Sequence, residues 1–164
     1  EPEPAGPGAA PRGRTVVDTV ALLAELEQVS PDTAFDLLQE ALGAQPDNAR
    51  LWAALAENAL TRSDPRWAEA AALEALRLDP AMPAVRRAWA RTAPLFLPPD
   101  RYLDELAALR RQFPDDADIT LMVARTLRDQ GGPRPMVAQL LREVIRLAPR
   151  HPELAQIQAE LAAL

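Results

Sequence analysis

ALRLDP, residues 75–80, closes a stretch in which alanine and leucine recur every three or four residues, and it stops on a proline. The segments LGAQP (42–46), LRRQFP (109–114) and IRLAP (145–149) end the same way. Their prolines, Pro46, Pro80, Pro114 and Pro149, stand 34, 34 and 35 residues apart. A period of that size over most of a chain marks an internal repeat. Apolar residues at three-to-four spacing mark helices. Each proline ends one, because it brings no N–H and biases the residue before it away from helical geometry.

Helix-start chemistry falls between these endings. Ser30-Pro31, Ser63-Asp64-Pro65 and His151-Pro152 each place a candidate cap before a proline suited to the first helical turn. Asp47-Asn48 and Asp115-Asp116 offer caps without the proline, and Gly131-Gly132 is a helix stop. These signals predict helices over 15–29, 31–44, 48–61, 65–78, 83–93, 99–112, 116–130, 135–148 and 152–163. They come in antiparallel pairs, each with an apolar face too large to bury alone, so neighbouring pairs must stack. Residues 1–14, EPEPAGPGAAPRGR, hold no large apolar side chain and read as a linker or tail. Residues 15–149 divide into four pairs, about 15–48, 49–82, 83–116 and 117–149, and 150–164 form a terminal capping helix.

Composition agrees with an all-helical fold. Of 164 residues 48% are apolar but only 4% aromatic, so alanine and leucine, both strong helix formers, fill the core. The net charge of −6 argues against a nucleic-acid binder. All 18 basic residues are arginine, which reads first as a coding bias and second as a taste for bidentate anion recognition. Without cysteine there is no disulfide framework and no thiolate metal site. No apolar run reaches the roughly 18 residues of a membrane span, so direct membrane insertion is not expected. The sequence starts without Met and with a linker, which points to a processed form or a piece of something longer. An anchored placement in a bacterial envelope and a cytoplasmic one both stay open.

The most regular unit is 49–82, ARLWAALAENALTRSDPRWAEAAALEALRLDPAM. Trp52, Leu55, Ala56 and Ala59 fall in its first helix, Ala68, Ala72 and Ala75 in its second, and Pro80 closes it. In period and landmarks it resembles the tetratricopeptide repeat (TPR) family. Aligned on the prolines, other units carry Ala34, Leu38 and Ala41, then Tyr102, Leu106 and Leu109, then Met136 and Leu140 at the packing positions of the second helix. The resemblance implies a right-handed α-solenoid, with 152–163 as the solvating last helix. Several positions depart from the pattern. Arg86 stands where a large apolar residue is usual, with Trp89 taking over its packing. APLFLPP (93–99) lengthens one turn, the fourth unit has an extra residue before Pro149, and the first unit matches mainly in its second helix.

Catalytic chemistry is not indicated. His151 is the single histidine and Ser30 and Ser63 the only serines; all three sit at helix starts, where capping is their natural role. Asp115, Asp116 and Asp118 lack the spacing and turn glycine of a calcium loop and instead favour the positive end of a helix. No metal site, cofactor or phosphate-binding loop is expected, and an enzyme would need residues from flanking sequence.

The resemblance further implies that first helices line a concave groove for a partner's peptide or helix. That places Thr19 and Leu23, then Arg50, Ala53 and Glu57, then Arg87 and Arg91, then Asp118, Leu121, Arg125 and Arg128 in the groove. Between Pro80 and Pro99 there are three arginines and no acid. Arg87 and Arg91 share a helical face, as do Leu121, Arg125 and Arg128, and like charges so stacked repel by about 0.2–0.5 kcal/mol per pair. One reading is a basic half-groove taking an acidic segment or terminal carboxylate. The other is that these arginines pair with acids on neighbouring helices, in which case each guanidinium would be found on a carboxylate of the same chain. The leading function is a non-catalytic protein-interaction scaffold; the alternative is a structural spacer or self-association domain forming homo-oligomers.

Overall fold

Gln45, Asp79, Phe113 and Ala148 share one extended backbone, with φ between −153 and −128° and ψ between 69 and 84°. Each still donates its N–H four residues back, to Ala41, Ala75, Leu109 and Val144, and each precedes one of the repeat prolines. The pre-proline clash thus gives the repeated ending its geometry. In the computed structural model the described residues are 18–164; the tail read over 1–14, and the start of the helix read from residue 15, lie outside them.

Among the described residues the elements are α1 (Thr19–Leu26), α2 (Pro31–Ala44), α3 (Ala49–Thr61), α4 (Pro65–Leu78), α5 (Pro83–Thr92), a 3-10 turn (Ala93–Leu95), α6 (Pro99–Gln112), α7 (Ala117–Asp129), α8 (Arg134–Leu147) and α9 (Leu154–Ala162). Helices pack on sequential and next-but-one neighbours, α3 on α4 and α5, α7 on α6, α8 and α5. This is an α-solenoid. Its core runs lengthwise, and alanine lets its helices approach closely: Ala56 and Ala59 of α3 and Ala68, Ala71, Ala72 and Ala75 of α4 are fully buried. Caps agree with the sequence for Ser30, Asn48 and Asp116, which accept from Thr33, Leu51 and Ile119 backbone N–H.

Several expectations are corrected. α1 starts at Thr19 because Asp18 accepts from Val20 and Ala21, and it stops at Leu26 rather than 29. α5 gives way to a 3-10 turn from Ala93, and α9 starts at Leu154, after a turn in which the Leu154 N–H bonds the His151 carbonyl and the Glu153 N–H bonds the His151 Nδ1. Met136 is exposed; Val137, Leu141 and Val144 carry the inward face of α8. The extra residue of the fourth unit falls at Pro133, between the glycine stop and α8, and rotates that face by one position. Trp89 is buried as expected, while Arg86 is buried too.

Ser63 is not a cap of α4; Asp64 is, accepting from Trp67. Ser63 instead ends α3 in the left-handed region at φ 55°, with Ser63 N–H on Leu60 and Asp64 N–H on Ala59. Sixty-eight residues on, twice the repeat spacing, Gly131 ends α7 the same way at φ 73°, with its N–H on Arg128 and that of Gly132 on Leu127. Only glycine takes this conformation without a Cβ penalty. Ser63→Gly should therefore stabilise by about 1 kcal/mol and Gly131→Ala destabilise by about the same amount, read as opposite shifts in urea midpoint. A destabilised Ser63→Gly protein would refute this account of the turn.

Candidate functional site

α1, α3, α5 and α7 succeed one another along the inner face of the solenoid, so side chains one period apart line up across it. Asn48, the cap of α3, donates to Thr19 Oγ at the start of α1 at 3.0 Å, which sets the two helices side by side and in the same direction. A depression of about 690 Å³ opens where α1, α3 and α5 meet. Its floor is small: Ala53 and Ala88 are buried and Ala54 and Ala84 half-buried. Leu23, Leu26 and Val29 form its wall on the α1 side.

Arg50, Ala53, Glu57, Arg87 and Arg91 all line this depression. Glu57, Arg87 and Arg91 also line a second one of about 480 Å³, which continues past Leu121 and Arg125 to Glu153. Leu121 is nearly buried and serves packing more than contact. Thr19 and Arg128 line neither depression. Asn58 does line the first, although its sequence position gave no such sign; its Nδ2 donates to the Pro31 carbonyl at 2.9 Å.

The arginines are not free. Arg91 reaches Glu57 at 2.6 Å, linking α5 to α3. Arg87 reaches Asp118 at 3.4 Å, linking α5 to α7. Arg125 holds Glu153 and Glu160, both at 2.7 Å, and Arg128 holds Glu160 at 2.8 Å and Asp129 at 3.0 Å, linking α7 to α9. The four guanidiniums that pointed to a basic half-groove are each on a carboxylate of the same chain. The acidic-ligand expectation drew on their free forks, and its physical premise is not met. Arginines and acids together form a ladder of ion pairs joining successive inner helices. This is the second of the two readings the sequence left open, and only the particular partners were illegible, those of Arg125 lying 28 and 35 residues away.

The ladder has an electrostatic signature. Burial raises the Glu57 carboxyl above its ordinary value, with Arg91 and Arg87 opposing it. At Glu160 burial also pushes upward, but the Arg125 and Arg128 guanidiniums outweigh it and the carboxyl ends below its ordinary value. A carboxylate depressed in the folded state stabilises above its unfolded pKa and loses that contribution as pH falls through the folded value. Glu160 therefore holds α9 at neutral pH and releases it as pH falls below the ordinary carboxylate range near 4.5. Glu57, raised, has the opposite sign. The expected result is fraying of α9 ahead of the rest on acidification, followed by amide exchange, with Glu160→Gln removing the pH dependence of that step.

His151 donates no chemistry to the groove. Its Nε2 faces Asp118 Oδ1 at 3.0 Å, and its Nδ1 accepts the Glu153 N–H at 3.0 Å. The accepting Nδ1 places the ring proton on Nε2, and both nitrogens are engaged. Among the described residues there is no group of acids and histidines arranged to hold a metal ion.

No family model matches the sequence, and no curated protein does. Among solved structures the fold is similar to that of YrrB, described as a TPR protein with an unusual peptide-binding site. The TM-score is 0.63 over 88% of this chain and 70% of that one, at 21% sequence identity. A likeness at this identity shows the fold, a TPR-like α-solenoid.

Proposed function

We infer that this chain is a non-catalytic interaction module that holds a partner's peptide segment against the inner faces of α1, α3 and α5. The observation that carries this reading is the depression floored by Ala53, Ala54, Ala84 and Ala88 and walled by Leu23, Leu26 and Val29. Four alanines in adjacent positions on two helices leave room that larger side chains would fill, and apolar walls with a few polar groups are what binding sites use. YrrB, a protein of similar fold, has a peptide-binding site, which supports the reading at the level of ligand class.

Removing Arg87, Arg91, Arg125 and Arg128 is a poor test, since it would untie α3, α5, α7 and α9 from one another. Filling the depression is better. Ala54 and Ala84 line the depression and are half-buried, so Ala54→Trp with Ala84→Trp occupies the space, and its unfolding temperature is measured alongside binding. Random peptides displayed on phage and enriched on the native protein are expected to bind the filled variant at least about tenfold more weakly, a loss of roughly 1.4 kcal/mol. Equal binding at unchanged unfolding temperature would move the site elsewhere.

A further inference from the structure

Five charged side chains line the depression between α1, α3 and α5, and three of them are already answered: Glu57 and Arg91 by each other, and Arg87 by Asp118. The other two, Arg50 and Glu27, are exposed and have no ion-pair partner among the described residues. Their placement is not random with respect to the trough. Asn48 and Thr19 abut, so α3 and α1 start level. Arg50 lies two residues beyond Asn48, at the leading rim. Glu27 lies eight residues beyond Thr19, at the trailing rim. At 1.5 Å per residue the two are offset by roughly 9 Å along the helix axes. Between them lie Leu23, Leu26, Ala53 and Ala54. The depression therefore has an unpaired cation at one edge, an unpaired anion at the other and apolar surface between.

We propose that its occupant is an extended segment of a partner protein with an acidic side chain at one end of a short apolar stretch and a basic side chain at the other, the acid meeting Arg50 and the base Glu27. This rests on the groove reading above and adds to it the chemistry and direction of the ligand. With the two helices about 9 Å apart side to side, Arg50 and Glu27 lie roughly 13 Å from each other, and an extended strand advancing about 3.3 Å per residue spans that with charges about four residues apart. The paired residues play a negative part. A ligand rich in acid would have to take Arg87 or Arg91 away from carboxylates that already hold them, whereas an ampholytic segment leaves the ladder intact. Because the contacts at the two rims oppose in sign, they also fix which way the segment runs.

Eight-residue random peptides displayed on phage are selected on the native chain, on Arg50→Gln, on Glu27→Gln, on the charge-exchanged R50E/E27R variant and on the filled A54W/A84W variant, all with matched thermal unfolding. Peptides from the native selection should carry an acid and a base about four residues apart around apolar residues, and should bind R50Q and E27Q each roughly tenfold more weakly. The exchanged variant should select the reverse order of charges. Peptides that are lost on the filled variant yet bind R50Q and E27Q as they bind the native chain would overturn this inference and leave the groove reading standing. Peptides that hold the filled variant undiminished, or a native selection that enriches nothing, would overturn both.

Discussion

Arg86→Ala is expected to lower stability by about 3–5 kcal/mol in urea unfolding, which places it among the most damaging single changes in the chain. Arg86 is only 5% exposed. Its Nε and Nη2 both meet Asp116 Oδ2 at 2.7 Å, its Nη1 donates to the Pro80 and Ala81 carbonyls, and its guanidinium lies 4.0 Å above the Phe113 ring. Truncation strands a buried carboxylate and two carbonyls at once. Asp116 has a second duty, because its Oδ1 caps α7 through the Ile119 N–H. Asp116→Asn keeps a capping oxygen but turns an amide NH2 toward the Arg86 donors, so it loses the counter-charge and the accepting oxygen together, while Asp116→Ala loses the cap as well. Arg86→Met combined with Asp116→Asn removes the stranded charge and should recover part of the loss, the Pro80 and Ala81 carbonyls staying without their donor. A loss below about 1 kcal/mol for Arg86→Ala would show that the site opens to water and that the pair is not buried in solution.

The second large effect is expected at Tyr102, where replacement by alanine should cost about 3–5 kcal/mol, as for other large aromatic truncations in cores. Tyr102 is 8% exposed and lies with its ring 6.1 Å from that of Trp89; its hydroxyl donates to the Ala90 carbonyl at 2.6 Å. The ring and the hydroxyl can be separated. Tyr102→Phe keeps the packing and gives up the hydrogen bond, for about 1 kcal/mol. Burial pushes the phenol up to about 12 from its ordinary value of 10.0. A phenol raised in the folded state stabilises fully below its unfolded pKa and loses that contribution as pH rises through the folded value. The native chain should thus weaken between pH 10 and 12 and the phenylalanine variant much less. If both titrate alike in unfolding experiments at alkaline pH, the hydroxyl is exposed in solution.

Most of the helix plan was legible because its punctuation is local. Proline at the first turn fixed the starts of α2, α4, α5 and α6, and the four repeat prolines or the residues before them fixed the ends of α2, α4, α6 and α8. Reading weakened where the signal was ambiguous. Pro152 looked like a helix start, but the Leu154 N–H bonds the His151 carbonyl three residues back, so a turn precedes α9. Ser63 looked like a cap because serine usually is one beside proline, and nothing in the sequence marks a left-handed serine. The surface was legible by position and not by state. Period and face placed Arg50, Ala53, Glu57, Arg87 and Arg91 together on one depression. Whether a guanidinium there is free depends on carboxylates about one period away, such as Asp118 and Glu160, which spacing along one helix cannot reveal.

Arg86 and Tyr102 act at the same place. The 3-10 turn at Ala93–Leu95 separates α5 from α6 along the chain, and the two sides are joined by the Tyr102 hydroxyl, the Trp89 ring and, one layer on, the Arg86–Asp116 and Arg87–Asp118 pairs. A solenoid has no contacts between distant repeats to compensate for a thin joint, so its cooperativity is only as continuous as its weakest neighbour interface. The chain should therefore melt as two blocks, α1–α5 and α6–α9, each with its own protection against hydrogen exchange. Under strain the joint would act as a hinge, letting the groove change curvature without either block losing its internal packing.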